Sequence, residues 1–344
     1  MSSPRLSQIF SIALIFVAVS TTYLDYWSYS RTFYLDSANW NTFAIPGRIN
    51  GPGQYRIGPV LLAHLMTHGH LAMRHAFAII DLAALLLAMF VLRRVLERSA
   101  IWLAAREPLR WFGAASFIVL FQYYLWWLLW YQRPATLPTT MLLALSLLLS
   151  TFRLPVAGAL GSAPTALAIL AVAVLQGFTR PDVGFAFYLG MAIACLISPL
   201  GRFALARPLQ AALSLAGAAV TGGIQLYLMR VVYPHMTYGN TAIVQIHWNL
   251  TLPRRIIPLL LFLAPTLWLV VQIIKKRIRL EAPQTGLLIG STLFFCLWAA
   301  LGKFDEVRIF MPFALALTPL MAEAALKTFS RPEEYQGATA MQPE

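Results

Sequence analysis

Long apolar runs recur from one end of this chain to the other, at residues 8–24, 75–92, 111–131, 135–151, 162–178, 183–199, 208–230, 256–274, 285–301 and 309–326. A helix rises about 1.5 Å per residue, so roughly 20 apolar residues match a hydrocarbon layer about 30 Å thick. Each run is near that length, and together they predict ten spanning helices. Of the 344 residues, 59% are hydrophobic and 11% charged, which leaves no stretch for a soluble domain. The expected fold is therefore all-α, a polytopic membrane helix bundle over residues 1–331, with 332–344 a disordered tail. A signal peptide competes for the first run, because Ala18-Val19-Ser20 would serve as a cleavage site. The rest of the topology is the same either way.

A net charge of +13 would point to nucleic acid in a soluble protein. Here the cations sit between apolar runs, where they set topology and meet lipid phosphates, so no nucleic-acid partner is expected. Assigned to alternate loops, the Lys and Arg residues divide fifteen to eleven. The short loops decide the orientation. Arg93-Arg94-Val95-Leu96-Glu97-Arg98 and Lys275-Lys276-Arg277-Ile278-Arg279 fall on the richer side, which is then cytoplasmic and holds both termini. Cys195 and Cys296 lie inside apolar runs and predict no disulfide.

Between the first two spans lies a segment too polar to cross a bilayer and too aromatic for a solvated linker. It carries Asp25 and Asp36, two of only thirteen acids, with Arg31, Arg48 and Arg56 and seven aromatic side chains nearby. It reads as an ordered extracytoplasmic loop. Residues 57–73, apolar but punctuated by His64, His68 and His70, suit an interfacial or re-entrant helix. The same face collects Thr179-Arg180-Pro181-Asp182 and Lys303-Phe304-Asp305-Glu306-Val307-Arg308. Asp182 could simply cap a helix, and interfacial Arg and Asp often just pair. As a set, five outer acids against eleven outer cations suit an anionic ligand plus one or two bases.

Other features have ordinary readings beside functional ones. His64 and His68 share a helical face, but Leu65 stands where a metalloprotease pattern needs Glu, and no metal ligand set or cofactor is assigned. A divalent metal has no support in the residues. Asp81 lies within a span, as a functional or a hydrogen-bonded structural acid. The aromatics from Phe121 to Tyr131 fit an interfacial belt more readily than a sugar-stacking platform. Asn249-Leu250-Thr251 matches a glycosylation sequon.

This layout resembles the GT-C superfamily of membrane glycosyltransferases, bacterial type, which take sugars from polyprenyl-phosphate carriers. The first span, a long extracytoplasmic loop with a catalytic Asp, interfacial helices and a multi-helix bundle correspond here to residues 8–24, Asp25 or Asp36, and residues 57–73. Gln54-Tyr55-Arg56-Ile57-Gly58-Pro59 resembles the family's YR-x-x-P stretch, and Arg180-Pro181-Asp182 and Glu306-Val307-Arg308 resemble its later loops. The chain departs from the family in having no adjacent acid pair in the first loop and no large soluble C-terminal domain.

The resemblance implies an inverting glycosyltransferase of the bacterial inner membrane, acting on an extracytoplasmic glycan or lipid acceptor. Asp36, or Asp25 second, would be the base. Arg180, Lys303 and Arg308 would hold the phosphate, Arg56 would hold it or brace the loop, and Asp182 and Glu306 would complete the site. The alternative is a transporter or flippase for a lipid-linked anion, without covalent chemistry.

Overall fold

The computed structural model describes residues 4–29, 56–67, 73–128, 135–154, 162–198, 203–234, 244–251, 253–304 and 306–329. These residues form helices and no strand. In chain order the helices are α1 (Pro4–Tyr29), α2 (Ile57–Thr67), α3 (Met73–Glu97), α4 (Ala100–Ala104), α5 (Glu107–Leu128), α6 (Thr136–Thr151), α7 (Ala163–Thr179), α8 (Pro181–Ile197), α9 (Arg207–Tyr227), α10 (Ile246–Leu250), α11 (Pro253–Ile274), α12 (Ala282–Leu301), α13 (Met311–Ala316) and α14 (Thr318–Phe329). Six stretches are long and apolar enough to cross a membrane: five within α1, α3, α5, α11 and α12, and Arg207–Val232, which is α9 continued by the π-helical turn Leu228–Val232. α2, α6, α7 and α8 are apolar but shorter. Asp36, Asp305, His68, His70 and the 332–344 tail lie outside the described residues.

Lipid tails are as apolar as leucine, so apolarity alone does not draw membrane helices together; close backbone packing does. The clearest case joins α8 to α12. A Cβ on Gly190 would lie 2.4 Å from the Gly290 nitrogen and 2.5 Å from the Gly286 carbonyl oxygen. Gly286 and Gly290 are one turn apart, the small-residue spacing that lets two helix backbones touch.

The centre of the bundle is the α13–α14 segment. Every residue of α13, and Thr318 to Leu326 of α14, is buried. Its sequence is apolar all round, as an enclosed helix must be. The one acid in it, Glu323, accepts from the Gln284 side-chain amide at 3.3 and 3.4 Å. That amide's oxygen accepts in turn from the Glu281 backbone N–H at 2.9 Å, locking its orientation at the start of α12.

α1 and α3 run antiparallel and are clasped at one end by Arg93. Its guanidinium donates to Glu97 at 2.7 Å, Ser11 at 2.6 Å and Ser7 at 2.8 Å, and lies 4.6 Å from the centre of the Phe10 ring. α1 is thus packed into the bundle, with Leu6, Phe10 and Leu14 buried.

α11 contains Pro258 and Pro265. Pro265 has no N–H for the carbonyl four residues earlier, that of Leu261. Tyr123 of α5 donates its hydroxyl to that carbonyl, and Tyr124 bonds Thr266 at 3.0 Å. The aromatic run therefore divides. Phe121 and Tyr124 are core, Trp126 is exposed as a belt residue would be, and residues 129–131 lie outside the described ones.

Candidate functional site

Three segments far apart in sequence meet around Arg180. α7 ends and α8 begins on this residue, whose backbone (φ −151°, ψ 84°) turns the chain without a loop. The local sequence explains the turn. Pro181 sits at the first position of α8, where a missing N–H costs nothing, and Asp182 follows in the first turn, where the helix dipole favours an acid. The Arg180 side chain is 2% exposed. Its Nη2 and Nε donate to the two Asp182 carboxylate oxygens at 2.7 and 3.3 Å. Nη1 donates to the Ile309 carbonyl at 3.0 Å, and the guanidinium lies 5.4 Å from the centre of the Phe294 ring.

Arg56 approaches the same carboxylate, its Nη2 lying 3.9 Å from Asp182 Oδ2. The sequence Arg56-Ile57-Gly58-Pro59 makes this approach possible. A Cβ on Gly58 would lie 3.0 Å from the Phe178 carbonyl oxygen, so only glycine lets the start of α2 seat so closely on the end of α7. Burial alone would raise the Asp182 carboxyl, but the Arg180 and Arg56 guanidiniums outweigh it and hold it at about 2. The side chain of Asp182 is 32% exposed, so solvent reaches the mouth of this cluster.

On the third segment, Arg308 donates to Glu306 at 2.9 Å in the turn Val307–Ile309, and the Ile309 carbonyl joins that turn to Arg180. Lys303 lies just before it. The Lys303 carbonyl accepts from the Trp298 indole at 3.2 Å and from the Glu306 N–H at 3.0 Å. Asn249 pins the same loop: its Oδ1 accepts from the Phe304 N–H at 3.0 Å, and its Nδ2 donates to the Gly302 carbonyl at 2.7 Å. The sequon reading of Asn249 is thereby overturned, since its side chain is fully buried and engaged. The sequence showed Asn249 only as a sequon; an Asn within the short helix α10 carries no local mark of a partner 55 positions away.

Of the site residues expected from sequence, Arg56, Arg180, Asp182, Glu306 and Arg308 are brought together, with Lys303 on the adjoining loop. Asp25 is elsewhere. It is buried at the end of α1 and interacts with the charge of Asp81 on α3. Nearby, the Tyr26 hydroxyl and the His75 ring nitrogen are 2.8 Å apart. Among the described residues, no three His, Cys, Asp or Glu side chains gather as a metal centre would require.

Among the described residues, the Arg180 and Arg56 guanidiniums converge on the one Asp182 carboxylate, and the Arg308–Glu306 pair sits in the turn tied to Arg180 through the Ile309 carbonyl. Such a site can hold an anion. Arg180 itself is buried and bonded to Asp182 and the Ile309 carbonyl, so Arg56 is the more exposed of the two cations around Asp182.

Comparisons with protein-family models, with curated proteins and with solved structures find no match for this chain. The fold by itself defines the class: an all-helical, multi-pass membrane protein with a basic cluster at one end of the bundle.

Proposed function

We propose that this protein is a GT-C-like inverting glycosyltransferase that moves a sugar from a polyprenyl-phosphate carrier to an extracytoplasmic glycan or lipid acceptor. In this reading ten helices span a bacterial inner membrane. The six long stretches are joined by α6, α7, α8 and the α13–α14 segment, and both termini are cytoplasmic. The observation that carries the proposal is the meeting of Arg56, Arg180–Asp182 and Glu306–Arg308 at one end of the bundle, from segments more than a hundred residues apart. A net-positive, partly open cluster suits the phosphate of a lipid carrier, with Arg56, Arg308 and Lys303 as its ligands and Arg180 holding them in place.

The reaction needs a base for the acceptor hydroxyl. The proton passes to the carboxylate of Asp36 as the acceptor oxygen bonds the anomeric carbon. The bond from that carbon to phosphate oxygen breaks, and polyprenyl phosphate leaves with the electron pair. Asp25 is the second choice. Asp36→Asn keeps the shape and removes the base, so turnover falls roughly a hundredfold or more while the protein still folds and binds donor. The assay is sugar transfer from a polyprenyl-phosphate donor by both proteins, with thermal melts alongside. Full transfer by the folded variant would pass the role to Asp25.

One observation favours the transporter alternative. Gln176, Ser214 and Gln210 are buried inside α7 and α9 and carry side-chain polar atoms with no partner among the described residues. Gln210 also reaches Ser150 of α6 at 3.4 Å, and Tyr188 of α8 meets Ser146 at 3.0 Å. Polar groups at several depths are what a path through the bundle would use. Lipid movement without any change in sugar linkage, by both wild type and Asp36→Asn, would decide for transport.

A further inference from the structure

The enclosed helix α14 carries one acid that the Arg180 cluster does not use. Glu323 is 3% exposed. Its hydrogen-bond partners are both neutral: the Gln284 amide nitrogen, 3.4 and 3.3 Å from its two oxygens, and the Ser99 hydroxyl. Ser99 is the N-cap of α4. Its oxygen accepts from the Trp102 N–H at 3.2 Å, which leaves its own hydrogen to donate to Glu323.

The cations of the neighbouring elements turn to other partners. On α3, Arg93 and Arg94 pair with Glu97, and the Arg98 guanidinium lies 4.6 Å from the centre of the Phe152 ring. On α5, Arg110 donates to the Trp102 and Leu103 carbonyls, and Glu107 is exposed. Beyond α11, Arg277 reaches Gln272 at 3.4 Å. Among the described residues no cation forms an ion pair with Glu323, Lys327 of its own helix included. The charged group that does act on it is a second acid, Glu281 at the start of α12. Gln284 links the two, since its amide oxygen accepts from the Glu281 N–H at 2.9 Å while its nitrogen faces Glu323.

A cavity of about 40 Å³ lies beside this acid, lined by Ser99, Thr151, Glu281 and Gln284 with the exposed Arg98. Its volume suits roughly two waters. We infer that Glu323 is a proton-binding site, which holds a proton at neutral pH and exchanges it with solvent through this cavity and the Ser99 hydroxyl. A carboxylate out of water, with two neutral donors and another acid nearby, is costly. A proton on one carboxylate oxygen removes that charge and leaves the packing unchanged. Neutral Glu323 then keeps the start of α12 and the Ser99 corner seated on α14. Its ionisation puts an uncompensated negative charge at their junction and loosens it. The inference is independent of sugar transfer.

The test is infrared spectroscopy and thermal melting of the purified full-length protein, with no sugar donor present. The expected spectrum at neutral pH contains a carboxylic-acid C=O band that shifts in D₂O and is lost in Glu323→Gln. The melts follow the same proton. An acid kept neutral by folding gives greatest stability below its unfolded value, about 4.3, and that contribution is lost as pH rises toward the folded value. Wild-type Tm should therefore fall relative to that of Glu323→Gln between about pH 5 and pH 9. Should Glu323→Gln fail to fold, Glu281→Gln carries the test, since it keeps Glu323 and removes the neighbouring negative charge. The acid band should then disappear at lower pH than in wild type. Identical spectra for wild type and Glu323→Gln, or a band indifferent to Glu281→Gln, make Glu323 a permanent carboxylate and overturn the inference. So does a Tm difference between wild type and Glu323→Gln that stays constant with pH.

Discussion

Arg180 and Asp182 form a two-point contact, 2.7 and 3.3 Å, across the turn that joins α7 to α8, and they differ sharply in access to solvent. The guanidinium is 2% exposed and the carboxylate 32%. Removing the carboxylate therefore leaves a buried cation, which is the costly half of such a pair. Asp182→Asn should destabilise the protein by about 2–3 kcal/mol, below the full cost for a wholly buried pair because water reaches Asp182. Arg180→Gln combined with Asp182→Asn should recover part of that loss. Thermal melts of the single and double variants measure it.

The same pair sets a pH dependence. The Asp182 carboxyl is held at about 2 against an ordinary 3.8. A group lowered on folding stabilises above its unfolded value, and that contribution is lost as pH falls through the folded one. The Asp182 share of stability should therefore disappear between about pH 4 and pH 2. The acid melt of Asp182→Asn should lack that component.

Gly58 is the hinge pin of the site. A Cβ added there would lie 3.0 Å from the Phe178 carbonyl oxygen and 3.3 Å from Thr179 Oγ1, which leaves no room for a branched side chain. Gly58→Val should cost about 1–3 kcal/mol and draw Arg56 away from Asp182. Binding of a polyprenyl phosphate, measured beside the melt, should weaken with it. Unchanged binding would take Arg56 out of the site.

Tyr123 answers a defect made by Pro265. Tyr123→Phe should cost roughly 0.5–1.5 kcal/mol, because the Leu261 carbonyl loses its donor inside the membrane. In a Pro265→Ala background the helix can restore that bond itself, and Tyr123→Phe should then cost close to nothing. The coupling is read from a double-mutant cycle.

Orientation is tested by labelling. In a protein with Cys195 and Cys296 replaced by alanine, Arg277→Cys should react only from the cytoplasmic side and Lys303→Cys only from the outside. The opposite pattern would move the Arg180 cluster to the cytoplasmic face.

The helices were legible in the sequence because helix formation is local. Each of the ten apolar runs contains or lies largely within a helix, and the Arg180-Pro181-Asp182 turn is readable from proline and aspartate at a helix start. What the sequence alone could not decide is which faces meet. In lipid, a leucine against the core and a leucine against an acyl chain look the same, so nothing in the pattern marked α13–α14 as the enclosed centre beyond its lack of a polar side. Asp25 and Asp81 are 56 positions apart, and only the antiparallel register of α1 and α3 makes them neighbours. Asn249 read as a surface sequon until the loop at Gly302–Phe304 folded over it. Arg180 read as a phosphate ligand; only the fold shows that its guanidinium is buried against Phe294 and the Ile309 carbonyl. The sequence determined where the chain is helical. The tertiary structure decided which charges pair, because pairing depends on distant surfaces brought into contact.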